Sequence, residues 1–293
     1  MSKYRLLRER VGASDLLNTC ELRLPPAATN AELSLAHDAE YVNRVQRGEL
    51  SDLEIRRIGF PWSEKMVERS RRSSGASIAA AAEAVRSSSV SINLAGGTHH
   101  ASTRCGAGYC VFNDSCVAAR VSQRNLGVTR VLILDLDVHQ GNGSAEICQG
   151  DESILTCSLH CDKNYPFPKA DSDIDVALPE GIDDEGYLVA LDESLARIEQ
   201  RFQPQLVFFL AGADPYLGDR LGKMRLTKHG LGLRDQRVFD WCYGQRVPVA
   251  VSMAGGYSPD VNDIVDIHFQ TISIARDHFL RCTGGASGSS SNG

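Results

Sequence analysis

The sequence predicts a single-domain α/β protein, a three-layer sandwich in which helices cover both faces of a mostly parallel sheet. From residue 90 onward, six short apolar runs rich in Val, Ile and Leu have the composition of buried strands. Most are separated by stretches of helical composition, the alternation that a parallel sheet requires. Polar and glycine-rich clusters follow several of the runs, where ligands bind in open parallel sheets. A chain of 293 residues, 42% hydrophobic and 23% charged, is long enough to bury one sizeable core.

The opening residues through Arg10 read as a helix start with no strand before them. Thr29 and Glu32 have the spacing of a capping box, Asp38 can cap a second helix that stops at Gly48, and Ser51 with Glu54 repeats the capping signal. After Pro61, residues 63–86 are rich in Ala, Glu and Arg and predict a long helix. The expected strands are 90–94, 131–138, 154–159, 174–178, 206–210 and 247–251, with helices at 114–124, 142–149, 183–202 and 227–243. Residues 283–293 are rich in Gly and Ser, so a folded domain over 1–282 and a disordered tail are expected. No repeat of the solenoid type is present.

The chemistry gathers after the strands. The first run leads into Ala95, Gly96, Gly97, Thr98, His99 and His100; the second ends in Asp135, Asp137, His139 and Asn142. Alternation along a strand would place Asp135, Asp137 and His139 on one side. Two later runs lead to Asp214 and to Gly255, Gly256 and Tyr257. A hydrolytic metal needs a few fixed ligands and an open position, which Asp137, His139 and Asp214 can supply. Adjacent imidazoles titrate near neutrality and suit proton transfer, and a tyrosine hydroxyl can stabilise an oxyanion. Taken singly, an Asp-x-Asp is as readily a turn, a His-His pair a surface feature, and Tyr257 a packed aromatic. Their coincidence at successive strand ends favours metal-assisted amide hydrolysis.

The bulk properties exclude other classes. A net charge of −6 argues against direct nucleic-acid binding, and Arg69, Arg71 and Arg72 read as a solvated helix face. No apolar run approaches the ~20 residues of a membrane span. With no secretion signal in the opening residues, a cytoplasmic setting with the nine cysteines reduced is expected. The oligomeric state is not legible.

These motifs together resemble the zinc-dependent histone deacetylase family, which shares its fold with the arginases. The resemblance rests on the motifs at 96–101, 108–114, 135–143, 212–214 and 255–257, in order and spacing, and extends to about His268. The segments His37 to Tyr41, Gly59 to Trp62 and Asp219 to Gly222 look most like the class IV, bacterial-type branch. The resemblance implies removal of acetyl or longer acyl groups from lysine side chains of proteins. Zinc, with Fe2+ as an alternative, would be held by Asp137, His139 and Asp214. His99 and His100 would handle protons, His100 as base and later acid, with Tyr257 facing the substrate carbonyl. Asp135 would pair with His99, while Asn142 replaces an acid that some members place beside His100. A structural potassium ion would lie at Asp135, Asp137, His139, Ser158 and Leu159, and an acyl-lysine channel at Gly108, Tyr109 and Phe167.

One departure is that relatives carry a strand and a short segment before the Lys-Tyr that stands here at Lys3-Tyr4, so an open sheet edge and an incomplete channel wall are expected. Other readings remain. A deacylase of small acylated amines such as acetylpolyamines would place an acid at the channel mouth. A non-catalytic acyl-amine binder would lack a ligand or the tyrosine. A two-manganese arginase-like hydrolase needs more acids and a different motif order.

Overall fold

The computed structural model describes residues 2–284. The chain begins with helices α1 (Ser2–Gly12), α2 (Asn30–Leu33), α3 (Ala39–Arg47), α4 (Asp52–Ile58) and α5 (Glu64–Ser87). It continues with β1 (Val90–Asn93), α6 (Asp114–Asn125), β2 (Val131–Asp135), α7 (Asn142–Cys148), β3 (Ile154–Cys161) and β4 (Ile174–Leu178). The remainder is α8 (Asp184–Arg201), β5 (Leu206–Leu210), α9 (Lys228–Gln245), β6 (Val249–Ser252) and α10 (Val261–Gly284). All six strands are parallel, in the order β1-β6-β5-β2-β3-β4.

Alternation sorts the strand side chains into two cores. Val131 and Ile133 of β2, with Phe208 and Leu210 of β5, pack under α5 and α6. Leu132, Leu134, Val207 and Phe209 point the other way, against α8, α9 and α10. Central strands buried on both faces need continuous apolar runs, which is why the sequence shows no polar alternation there. The helix starts are local: Thr29 and Ser51 each close a capping box, Asp38 accepts from the Glu40 amide, and Gly48 ends α3 in the left-handed region.

Three expectations change. The second strand stops at Asp135 rather than at residue 138, so Asp137 and His139 lie in the loop beyond it, where backbone bonds to β5 and β3 continue only singly (Leu136 N–H to Leu210, 3.1 Å; Cys161 N–H to Val138, 2.9 Å). α10 was not expected, because its buried stripe includes His268, Thr271 and His278, which interrupt the apolar period. It also runs through Thr283 and Gly284, so the first two residues assigned to the tail are helical; the rest of that tail lies outside the described residues.

β1 is an edge strand that pairs only with β6 among the described residues. A cavity of about 2000 Å³ runs along it and reaches the strand ends. Its wall includes coil residues 19–26, which dock on α5 through Arg71 Nε to the Ala28 carbonyl (2.9 Å) and Arg72 Nη1 to the Pro25 carbonyl (3.0 Å). The crossing is close because Gly75 of α5 has no side chain: a Cβ there would lie 1.9 Å from the Pro26 carbonyl oxygen. Helix propensity alone favours Ala over Gly by ~1 kcal/mol. Gly75→Ala is nonetheless expected to lower the urea midpoint, since backbone must move; a raised midpoint would contradict this packing.

Candidate metal centre and active site

The loops after β2, β5 and β6 are tied to one another by the side chains they carry. Asp214 Oδ1 accepts the Val138 amide (3.0 Å), Asp137 Oδ2 accepts the Gly255 amide (2.9 Å), and Asp137 Oδ1 accepts the His139 amide (2.9 Å). Ala213 in turn donates its N–H to the Gly255 carbonyl (3.1 Å). The result brings together Asp137, His139 and Asp214, whose donor atoms lie within 4.8 Å of one another. His139 Nδ1 stands 3.0 Å from Asp137 Oδ1 and 3.4 Å from Asp214 Oδ2.

This group fits a divalent ion on grounds of its own. Asp214 is fully buried, yet its Oδ2 has no hydrogen-bond partner. The nearest donor, His139 Nδ1 at 3.4 Å, makes no hydrogen bond to it, and a buried carboxylate oxygen left so is costly unless a cation meets it. Gly255 keeps the space open: a Cβ there would sit 1.9 Å from Asp214 Oδ2 and 2.5 Å from Asp137 Oδ2. The charges are also unbalanced. Burial and then the neighbouring Asp137 carboxylate push Asp214 up to about 7. Burial would lower His139, but the two carboxylates beside it prevail and raise it to about 10. One imidazole and two carboxylates, with oxygen and nitrogen donors, suit zinc or ferrous iron.

The two expected proton-transfer residues sit side by side, ring centroids 4.1 Å apart, both buried. His99 Nδ1–H donates to Asp135 Oδ2 (2.6 Å) and His100 Nδ1–H to Asn142 Oδ1 (2.7 Å). Their environments separate them. Burial opposes charge on His99, but Asp135 and Asp137 outweigh it and raise the ring to about 9. Burial, followed by the charges of His99 and His139, holds His100 well below the usual histidine range. Asp135 thus serves His99 rather than joining the ligand group. In the β2–β3 register it stands opposite Ser158, whose hydroxyl contacts His160 Nδ1 (3.1 Å); Leu159 is buried in the core.

Tyr257 is half-buried and joins this cavity with its ring 5.9 Å from Tyr109. Burial pushes its phenol far above the usual range, so the hydroxyl keeps its proton. Gly108 leaves room for His100, since a Cβ would fall 2.5 Å from the ring. Phe167, expected in the channel, instead points outward and is 68% exposed. Tyr165 takes that place, edge-on to His100 at 4.8 Å. The two residues flank Pro166; the sequence pointed to Phe167, and Tyr165 is the one that faces inward.

Several supports escaped the sequence reading. Buried Lys3 donates Nζ–H to the carbonyls of Ala254 (3.0 Å) and Gly256 (3.4 Å), holding the loop that carries Tyr257. Asp219 accepts the Tyr257 amide (2.5 Å). Asn113 donates through its side chain to the Ala101 carbonyl (3.2 Å) and Ser144 Oγ (3.0 Å), bracing the histidine loop. Its own amide donates to His37 Nε2 (2.9 Å), while His37 Nδ1–H donates to the Ser102 carbonyl (2.9 Å). The segments that hold Lys3, His37, Asn113 and Asp219 figure in the resemblance, but each bond is non-local, so the motifs do not reveal these roles.

Burial lowers His37 to about 4. As pH falls, the unfolded chain binds this proton first, so the stabilisation from neutral His37 is whole above about 6.5 and is lost between there and about 4. It amounts to at most ~3 kcal/mol. The gap in urea midpoint between wild type and His37→Gln should narrow from pH 7 to pH 4; a constant gap would contradict the assignment.

Comparison with known proteins accords with this geometry. Residues 1–272 match the histone deacetylase domain. An uncharacterized protein of Picosynechococcus sp. is 40% identical over 277 residues, 94% of this chain and 92% of that protein. Histone deacetylase 2 of Arabidopsis thaliana is 31% identical over 246 residues, 80% of this chain, but this chain matches only 62% of that longer protein. The crystal structure of the HDA15 HD domain superimposes with a TM-score of 0.78 at 25% identity, covering 97% of this chain and 89% of that one. The chain belongs to the histone deacetylase family of hydrolases.

Proposed function

We propose that the protein is a zinc-dependent deacylase that hydrolyses the amide of acyl-lysine side chains in proteins. The observation that carries this reading is the convergence of Asp137, His139 and Asp214 beside a protonated tyrosine and a pair of histidines in one cavity. When bound, the divalent ion would polarise the scissile carbonyl and make water a stronger acid. His100, whose Nδ1–H is fixed on Asn142, presents Nε2 as the base that takes the proton of the attacking water and returns it to the leaving amine. His99, held cationic by Asp135, supplies positive charge beside it. Tyr257 donates a hydrogen bond from its hydroxyl to the carbonyl oxygen as negative charge develops there.

Two features support finer choices. Arg56 and Arg57 line the cavity, and Arg57 is near enough for its charge to act on Tyr165, whereas Lys163 is paired with Asp162. A polyamine's second ammonium would meet like charge there, which favours a lysine side chain within a protein. The extent of the cavity along β1 favours acyl chains longer than acetyl as well as acetyl itself. Ser158 opposite Asp135 supports a potassium ion there, with the backbone of Asp137, His139 and Leu159.

The test is a panel of acyl-lysine peptides of graded chain length, with acetylpolyamines, before and after chelation and after return of Zn2+ or Fe2+. Peptide turnover should exceed polyamine turnover and return most fully with zinc. Activity that survives complete metal removal would sink the mechanism, and a preference for polyamines would replace the substrate. Tyr257→Phe should lower kcat by ~100-fold or more with KM little changed. Unchanged kcat would remove the tyrosine from the reaction.

A further inference from the structure

Behind the ligand loops, on the side away from the cavity, α9 buries an arginine. Arg234 is 0% exposed. Its Nη1 donates to the carbonyl of Gly212 (2.5 Å) and, at longer range, to that of Leu136 (3.4 Å). Leu136 immediately precedes Asp137, and Gly212 stands two residues before Asp214. One guanidinium nitrogen therefore spans the two backbone segments that carry the two carboxylate ligands. The other side of the guanidinium is fixed: Nε donates to Asp235 Oδ1 (2.8 Å), Asp235 Oδ2 accepts the Thr271 hydroxyl of α10 (2.5 Å), and the cation lies over the Phe209 ring of β5 at 5.7 Å.

A buried ion pair of this kind is poor value as a stabiliser, because desolvation of both charges offsets most of their attraction. Ligand spacing depends on the separation of the β2 and β5 loops, and among their backbone groups these two carbonyls point away from the site, toward α9. We propose that Arg234 is a positioning residue of the metal centre, a buried clamp that sets the distance between the Asp137 and Asp214 loops and thereby the affinity and coordination geometry of the site. The inference rests on the metal reading above and extends it to a residue that touches neither metal nor substrate.

Partners outside the ligand shell typically change metal affinity by ~10- to 100-fold when removed. The variant that avoids stranding a buried charge is Arg234→Gln with Asp235→Asn. Arg234→Lys keeps the charge but replaces the fork by a single point donor. Leu191→Ala, a core truncation in α8, serves as a control for general destabilisation. The probes are Zn2+ affinity by chelator competition and the visible absorption of the Co2+-loaded protein, with urea unfolding measured in parallel. Zinc affinity should fall by ~10-fold or more in the double variant and by less in Arg234→Lys, with an altered cobalt spectrum. Leu191→Ala should lose stability and keep wild-type affinity and spectrum.

A folded double variant with wild-type zinc affinity and spectrum overturns the clamp. If the double variant does not fold, Arg234→Lys decides in the same way. If Leu191→Ala weakens zinc as much as the double variant does, the effect is general destabilisation and the clamp is likewise overturned. A wild-type chain that takes up no zinc overturns the metal reading itself, an outcome distinct from each of these.

Discussion

Two carboxylates buried side by side are the constraint to which the rest of the molecule answers. Asp137 and Asp214 come from different strand ends, and each spends one oxygen on the backbone of the other's neighbourhood: Val138 for Asp214, Gly255 for Asp137. Such crossing requires β2, β5 and β6 to be adjacent, which the order of the sheet provides. It also leaves negative charge that the protein neutralises only in part, visible in the elevated Asp214 and His139. A cation relieves that excess directly, and Asp214 Oδ2, without a donor, is the atom best prepared for it.

The surroundings divide positive from neutral in a manner suited to hydrolysis. Asp135 draws a proton onto His99, whereas Asn142 offers His100 an acceptor without a charge. Two adjacent imidazoles cannot both be cationic at low cost, so fixing the charge on one keeps the other neutral. Lys3 and Arg234 each bind a backbone carbonyl in the loops that carry these groups, Ala254 and Gly212.

Much of this was legible before any coordinates. The four inner strands showed themselves because both faces are buried, and the helix starts because Thr29, Asp38 and Ser51 act on amides two or three residues away. The grouping of Asp137, His139 and Asp214 was legible once acids and histidines were seen to follow several strands and to match a family's motifs. What failed depends on tertiary context. α10 hides its apolar period behind His268, Thr271 and His278, which are satisfactory only in their actual surroundings. That Tyr165 rather than the expected Phe167 faces the histidines turns on the path of the loop through Pro166. Arg234 and Lys3 act on carbonyls far along the chain, a pairing that leaves no local pattern.

The central claim is that the two buried carboxylates, with His139, hold one divalent ion. Calorimetric titration of metal-free protein with Zn2+ tests it most directly when wild type is compared with Asp214→Asn, which keeps the acceptor for Val138 and removes only the charge and the free oxygen. The account predicts one zinc per chain for wild type and binding weakened by ~100-fold or more in the variant, with cooperative unfolding retained. Wild-type zinc affinity in a folded Asp214→Asn protein would contradict it.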